Sequence, residues 1–129
     1  MRLRTIALTA MIACGAQAQP PPGQAREFDR ILAGRRAEAP VRCIQPDLSA
    51  RPILLDGRAI AYFRAGKVYV NRFEQRCPQL IQTRTLITTG VQGRLCRHDP
   101  VRVVDLSGGG GVGYGFCTFG DFVPYAKAK

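Results

Sequence analysis

The chain contains no tryptophan, a single histidine and two serines, and its nine acidic residues face nineteen basic ones. One histidine excludes a metal centre built on several imidazoles. Ser49 and Ser107 are the only serine nucleophiles available, and neither lies in a Gly-x-Ser-x-Gly elbow. No apolar run approaches the roughly 18 residues that a helix needs to cross a bilayer. The hydrophobic share of 46% is too high for a solvating, disordered chain. A membrane channel and an acidic tail are therefore both excluded, and one small globular domain with an appendage remains.

The appendage reads as an export signal. Arg2 and Arg4 form a charged start, Thr5 to Ala13 form a short apolar stretch, and Ala16-Gln17-Ala18 gives a small-x-small cleavage site. Gln19-Pro20-Pro21-Pro22-Gly23 follows, and consecutive prolines do not continue a helix. Residues 1–18 are thus expected to be a signal peptide, 19–25 a flexible Pro-rich leader, and 26–129 a single domain. Met11-Ile12-Ala13-Cys14-Gly15 also resembles a lipobox, so lipidation at Cys14 and membrane anchoring form the alternative to cleavage after Ala18.

Export leaves Cys43, Cys77, Cys96 and Cys117 in an oxidising compartment, where an even number of cysteines in a small domain means disulfides. The closest pair, Cys77 and Cys96, is 19 residues apart, so no two thiolates share the turn that a zinc site or a redox motif requires. Four cysteines allow three pairings. The pairing favoured is Cys77 with Cys96 and Cys43 with Cys117, a short loop nested in a long one.

Phe28, Ile31 and Leu32 recur at helical spacing, and Gly34 stands where such a helix stops. Arg35 to Pro40 reads as a polar connector. From Pro52 onward the pattern is short β-type runs: Ile53-Leu54-Leu55, Arg58 to Arg64 and Lys67 to Asn71, turned by Asp56-Gly57 and Ala65-Gly66. Further runs are Thr83 to Thr88, Leu95 to Arg97, Val101 to Leu106 and Gly115 to Phe119, with Val101, Val103, Cys117 and Phe119 facing inward. Phe122-Val123-Pro124-Tyr125 reads as a tail over one end, and most of the aromatic residues as core. The expected fold is mainly β: a small antiparallel β-barrel or sandwich with one short N-terminal helix, stapled by disulfides.

Candidate chemistry is sparse. Gly108 to Gly113 matches the spacing G-x-G-x-x-G, but a β-type run follows where a phosphate site needs a helix, so a hairpin loop is expected. His98, followed by Asp99, is the one possible imidazole acid or base. Several carboxylates stand in turns or beside glycine, and nothing selects a catalytic pair. The pattern assigns no catalytic, cofactor-binding or metal-ligating residue and implies no cofactor.

The formal net charge of +10, which falls by two if Arg2 and Arg4 are cleaved off, favours anionic partners. The arginines are scattered rather than gathered on a basic helix, and export argues against nucleic acid. Arg42-Cys43-Ile44, Val68-Tyr69-Val70-Asn71-Arg72, Cys77-Pro78-Gln79-Leu80, Leu95-Cys96-Arg97-His98-Asp99 and Cys117 to Tyr125 form a recurring pattern. Through it, residues 26 to 126 resemble small exported four-cysteine proteins of unassigned function from Gram-negative bacteria, some of them lipoproteins. That resemblance supplies no catalytic residues, and Gly often occupies the place of His98. The expected function is a non-enzymatic binding or structural module of the cell envelope, periplasmic or secreted. Its partner would be an anionic envelope component or an envelope protein. The alternative is a small envelope hydrolase using His98 and Asp99.

Overall fold

The computed structural model describes residues 22–129; the expected signal peptide, Cys14 and the start of the Pro-rich leader lie outside the described residues. The elements run in the order α1 Pro22–Leu32, β1 Arg35–Ala37, β2 Cys43–Ile44, β3 Ile53–Leu55, β4 Ala59–Arg64 and β5 Lys67–Arg72. They continue with β6 Thr85–Thr88, β7 Leu95–Cys96, β8 Pro100–Asp105, β9 Val112–Thr118 and β10 Phe122–Lys127. A single 3-10 turn, Val91–Gly93, precedes β7.

The described helix runs from Pro22, so residues 22–25, expected to belong to a flexible leader, are helical. Gln24 ties this helix to the turn after β3. Its Nε2 donates to Asp56 Oδ1 at 2.8 Å, and the Asp56 backbone N–H donates to its Oε1 at 2.8 Å. Phe28 is buried, and Ile31 and Leu32 pack beside it, as their spacing predicts. Gly34, with φ +70°, ends the helix.

The strands form a five-stranded sheet in the order β1-β10-β5-β4-β3, a three-stranded sheet β6-β8-β9 and a small β2-β7 pair, all antiparallel. The sheets are not closed into a barrel, one of the two expected architectures; the fold is mainly β with antiparallel sheets and one helix, as expected. The meander β3-β4-β5 is as expected. Ala65 and Gly66, with φ +49° and +76°, make the tight β4-β5 turn. At the β3-β4 turn Gly57 has φ +65°, and its N–H and C=O bind Leu80 O and Cys77 N at 2.9 and 3.0 Å. A Cβ there would lie 3.2 Å from Pro78 Cα, so the turn also seats the Cys77 loop.

Two segments read as irregular are strands. Arg35–Ala37 pairs with the chain end as β1, and the supposed tail Phe122–Lys127 is β10, set between β1 and β5. Pro124 is tolerated in β10 because its C=O still accepts, here from Glu38 N at 2.8 Å. The sequence pattern there lacks clean alternation, which hides a strand whose two neighbours come from distant parts of the chain.

The five-stranded sheet is buried on both faces, which the two-residue periodicity of a strand makes possible. Ala59, Ala61, Val68 and Val70 meet the helix, while Ile60 and Tyr62 face a second core with Phe73, Phe122, Val101, Val103, Cys117 and Phe119. Phe119 is the hub of that core: its ring stacks on Phe73 at 5.9 Å and meets Phe122 at 5.3 Å and Tyr62 at 6.3 Å. Val101, Val103, Cys117 and Phe119 point inward as predicted. Tyr114 and Phe116 do not join them and are exposed at 38% and 65%. A bulge places Tyr114 and Gly115 opposite Val103, with Gly115 at φ +80°, which breaks the alternation along β9.

All four cysteines among the described residues form disulfides, but the pairing is Cys43–Cys96 and Cys77–Cys117. This corrects the favoured pairing. Cys43 and Cys96 stand directly opposite across the β2-β7 pair, with Cα atoms 4.0 Å apart, and Cys77 is brought to Cys117 by the Gly57 turn.

Asn71 is fully buried, and its side chain grips the turn between β9 and β10. Nδ2 donates to Gly120 O at 2.8 Å and to Asp121 O at 3.4 Å, and the Gly120 N–H donates to Oδ1 at 3.1 Å. Asn71→Ala leaves those backbone groups without partners in the interior, and the expected cost is about 2–4 kcal/mol. A lowered urea midpoint at unchanged m value checks it. Burial also pushes the Tyr62 phenol above its ordinary pKa. The folded chain therefore holds this proton while the unfolded chain releases it near pH 10, so stability is intact below pH 10 and falls above it by about 1.4 kcal/mol per pH unit. In an absorbance titration, the phenolate signal lost in Tyr62→Phe should be the part that develops only with unfolding.

Candidate functional site

His98 sits in the turn joining β7 to β8. The Asp99 N–H donates to Cys96 O at 3.1 Å, and the Asp99 carboxylate accepts from the Cys96 N–H at 2.8 Å. Asp99 is therefore occupied in closing the turn and does not orient His98. The His98 ring instead lies with Nδ1 2.5 Å from Glu74 Oε1, on the segment that follows β5. Arg97 bridges the same carboxylate at 3.6 Å and Asp121 at 3.4 Å. Glu74, Arg97, His98 and Asp121 thus form an ion-pair cluster on three neighbouring turns, which sequence spacing alone did not bring together. Its members are well exposed, and pairs of this kind contribute about 0.2–1 kcal/mol each.

Among the described residues neither a serine nor a free thiol completes this cluster. The Ser107 N–H and Oγ both donate to Asp105 Oδ1, at the end of β8 far from His98, about 20 Å along a strand of that length. Ser49 binds Asp47 in the same way, at 2.9 and 2.7 Å. These hydrogen bonds hold the carboxyls of Asp47 and Asp105 below the usual carboxylate range. Among the described residues the cysteines are oxidised, and no group of three or more His, Cys, Asp or Glu could hold a metal ion. Gly108 to Gly111 lies in the hairpin between β8 and β9, with no helix after it to meet a phosphate.

The concave feature lies elsewhere. An open cleft of about 780 Å³ lies between the β3 edge of the five-stranded sheet and the β6 edge of the three-stranded sheet. Leu54, Ile60, Tyr62, Leu80, Leu86 and Leu95 give it an apolar lining, and Arg51 and Arg84 bring positive charge to it. The volume is within the roughly 300–1,000 Å³ of small-molecule sites. Sequence reasoning missed the cleft because its walls come from four separate stretches. A second hollow of about 340 Å³, beside Tyr69 and Pro124, is crossed by the Lys67–Glu38 pair at 2.9 Å. That carboxylate raises the Lys67 pKa.

Comparison with family models, with curated proteins and with solved structures found no match to this chain. Among the described residues no helix is long and apolar enough to cross a membrane. Two disulfides point to a compartment outside the cytoplasm.

His98 has φ +71°, a backbone region that costs a side-chain-bearing residue about 1–2 kcal/mol and costs glycine nothing. His98→Gly should change stability by less than about 1 kcal/mol, because relief of the turn offsets loss of the Glu74 contact and the added chain entropy. His98→Val should cost about 1–3 kcal/mol. Thermal unfolding of the two variants beside the wild type measures the difference.

Proposed function

We infer that the protein is an exported, non-enzymatic binding module of the cell envelope, of the type its four-cysteine pattern resembles. The observation that carries this reading is the occupation of its nucleophiles. All four cysteines of the described chain are in disulfides, and both serines are hydrogen-bonded to neighbouring aspartates away from His98. Hydrolysis through His98 and Asp99 is disfavoured because Asp99 serves its own turn. The open cleft and the positive charge support a binding role toward anionic components of the envelope, in the periplasm or outside the cell.

The test is the intact mass of the protein recovered from the cell envelope fraction, with and without reduction and alkylation. The expected mass is that of residues 19–129 less the four hydrogens lost in two disulfides. A lipid-bearing chain beginning at Cys14 would keep the export reading and replace the free form by an anchored one. Recovery from the cytoplasm with four alkylatable thiols would overturn it. His98→Ala should leave binding to envelope material unchanged, whereas loss of a hydrolytic activity in that variant would establish the enzyme reading.

A further inference from the structure

We propose that the cleft between the β3 and β6 edges binds a single-chain amphiphile with an anionic head, its acyl chain on the apolar lining and its head at Arg51 and Arg84. This inference rests on the binding-module reading and assigns its ligand class. Apolar side chains of both sheets, among them Leu54 and Leu86, meet at the cleft, which is open to solvent. A wall of this kind recovers about 25 cal/mol per Å² when an acyl chain removes it from water.

The polar groups around the lining define the head. Among the described residues Arg51 makes no ion pair, and it is exposed at the rim. Arg84 is held in place, with Nη1 donating to Gln79 O at 2.6 Å and the guanidinium carbon 3.5 Å from the Tyr114 ring centre. Among the described residues its Nε is buried and has no hydrogen-bond partner, an unused donor. The Tyr62 hydroxyl, on the cleft lining and otherwise buried, makes no hydrogen bond among the described residues. Two carboxylates also line the cleft, Asp47, hydrogen-bonded by Ser49 and near Arg64, and Glu27, 3.9 Å from Arg30. With these carboxylates each beside a cation of its own, the Arg51 guanidinium and the unused Arg84 donor are what meets the ligand, which favours a carboxylate or phosphate head over a neutral or cationic one.

The chain lacks tryptophan, so Thr85→Trp on the exposed rim of the cleft places a unique fluorophore at the site. The full mature chain carrying it is titrated with laurate, with lauroyl lysophosphatidate and with uncharged monolauroylglycerol, each below its micelle concentration. Saturable one-to-one blue shifts are expected for the two anionic lipids, with the neutral lipid at least about tenfold weaker, since a hydrogen bond to a charged group is at stake. The ranking of laurate against lysophosphatidate tells a carboxylate site from a phosphate site. Arg51→Gln and Arg84→Gln should each weaken the anionic lipids about tenfold, and Arg36→Gln, on β1, should not. Leu86→Glu should abolish binding; if that variant does not fold, Leu54→Gln takes its place with a smaller loss.

Absence of a saturable shift with all three lipids overturns the proposal, as does equal affinity for the neutral lipid. An equal effect of Arg36→Gln and Arg51→Gln also overturns it, since it shows diffuse attraction to a basic surface. Each of these results leaves the export and binding-module reading standing when the envelope mass is as expected. Recovery in the cytoplasm with free thiols would instead remove that reading while lipid binding could still be measured.

Discussion

The chain has to leave the three-stranded sheet at Thr118 and enter the five-stranded sheet at Phe122, and the grip of Asn71 on Gly120 fixes how it does so. An amide carries its donor and its acceptor on separate atoms, as a peptide group does, so it donates to a backbone carbonyl and accepts from a backbone N–H at once and replaces a missing strand partner in the interior. Because that crossing is fixed, Phe119 and Phe122 are delivered to the same core from the two sides of a turn. Their packing with Tyr62 and Phe73 joins the layers. A buried amide with its hydrogen bonds made specifies one register, whereas a purely apolar turn would tolerate several.

The disulfides act around this crossing rather than in place of it. Cys77–Cys117 ties the loop after β5 to the strand that leads into the crossing, and Cys43–Cys96 ties the small β2-β7 pair that leads into the His98 turn. Each closes a loop of moderate length, 40 and 53 residues in sequence separation, and contributes about 2–4 kcal/mol by restricting the unfolded chain. For a domain of this size such a contribution is comparable to a large part of its stability. The same staples hold the turns carrying Glu74, Arg97 and His98 against one another, which makes their ion-pair cluster a consequence of the fold.

The cleft has a related origin. The five-stranded sheet is covered by the helix on one face and by the three-stranded sheet on the other, but the two sheets differ in width and stop at different edges. Where β3 and β6 end their sheets, the apolar core is left partly open, and loops carrying Arg51 and Arg84 border the opening. Of the two places that could carry function, the charged cluster therefore lies on closed, fully paired turns. The cleft combines a largely apolar lining with a few charged side chains at its border, the kind of surface that binding sites use.

Local chemistry was legible in the sequence wherever a residue's role depends on its neighbours in the chain. Asp56-Gly57 and Ala65-Gly66 announced tight turns, the alternation through Val101 and Val103 announced an inward face, and even cysteines at wide spacing announced disulfides. Where a role depends on partners far away, the sequence was silent or misleading. It placed β10 as a tail, began the helix too late at its prolines and favoured the nested disulfide pairing. Neither a strand held by β1 and β5 nor the reach from Cys77 to Cys117 has a local signature. The sequence by itself determined the mainly β class of the fold and the oxidised state of Cys43, Cys77, Cys96 and Cys117, because composition and short-range pattern carry those. Only the tertiary structure decided which cysteines meet, that His98 faces Glu74 rather than Asp99, and where a cleft opens. Each of these is a relation between surfaces brought together by sheet stacking, and one dimension does not encode it.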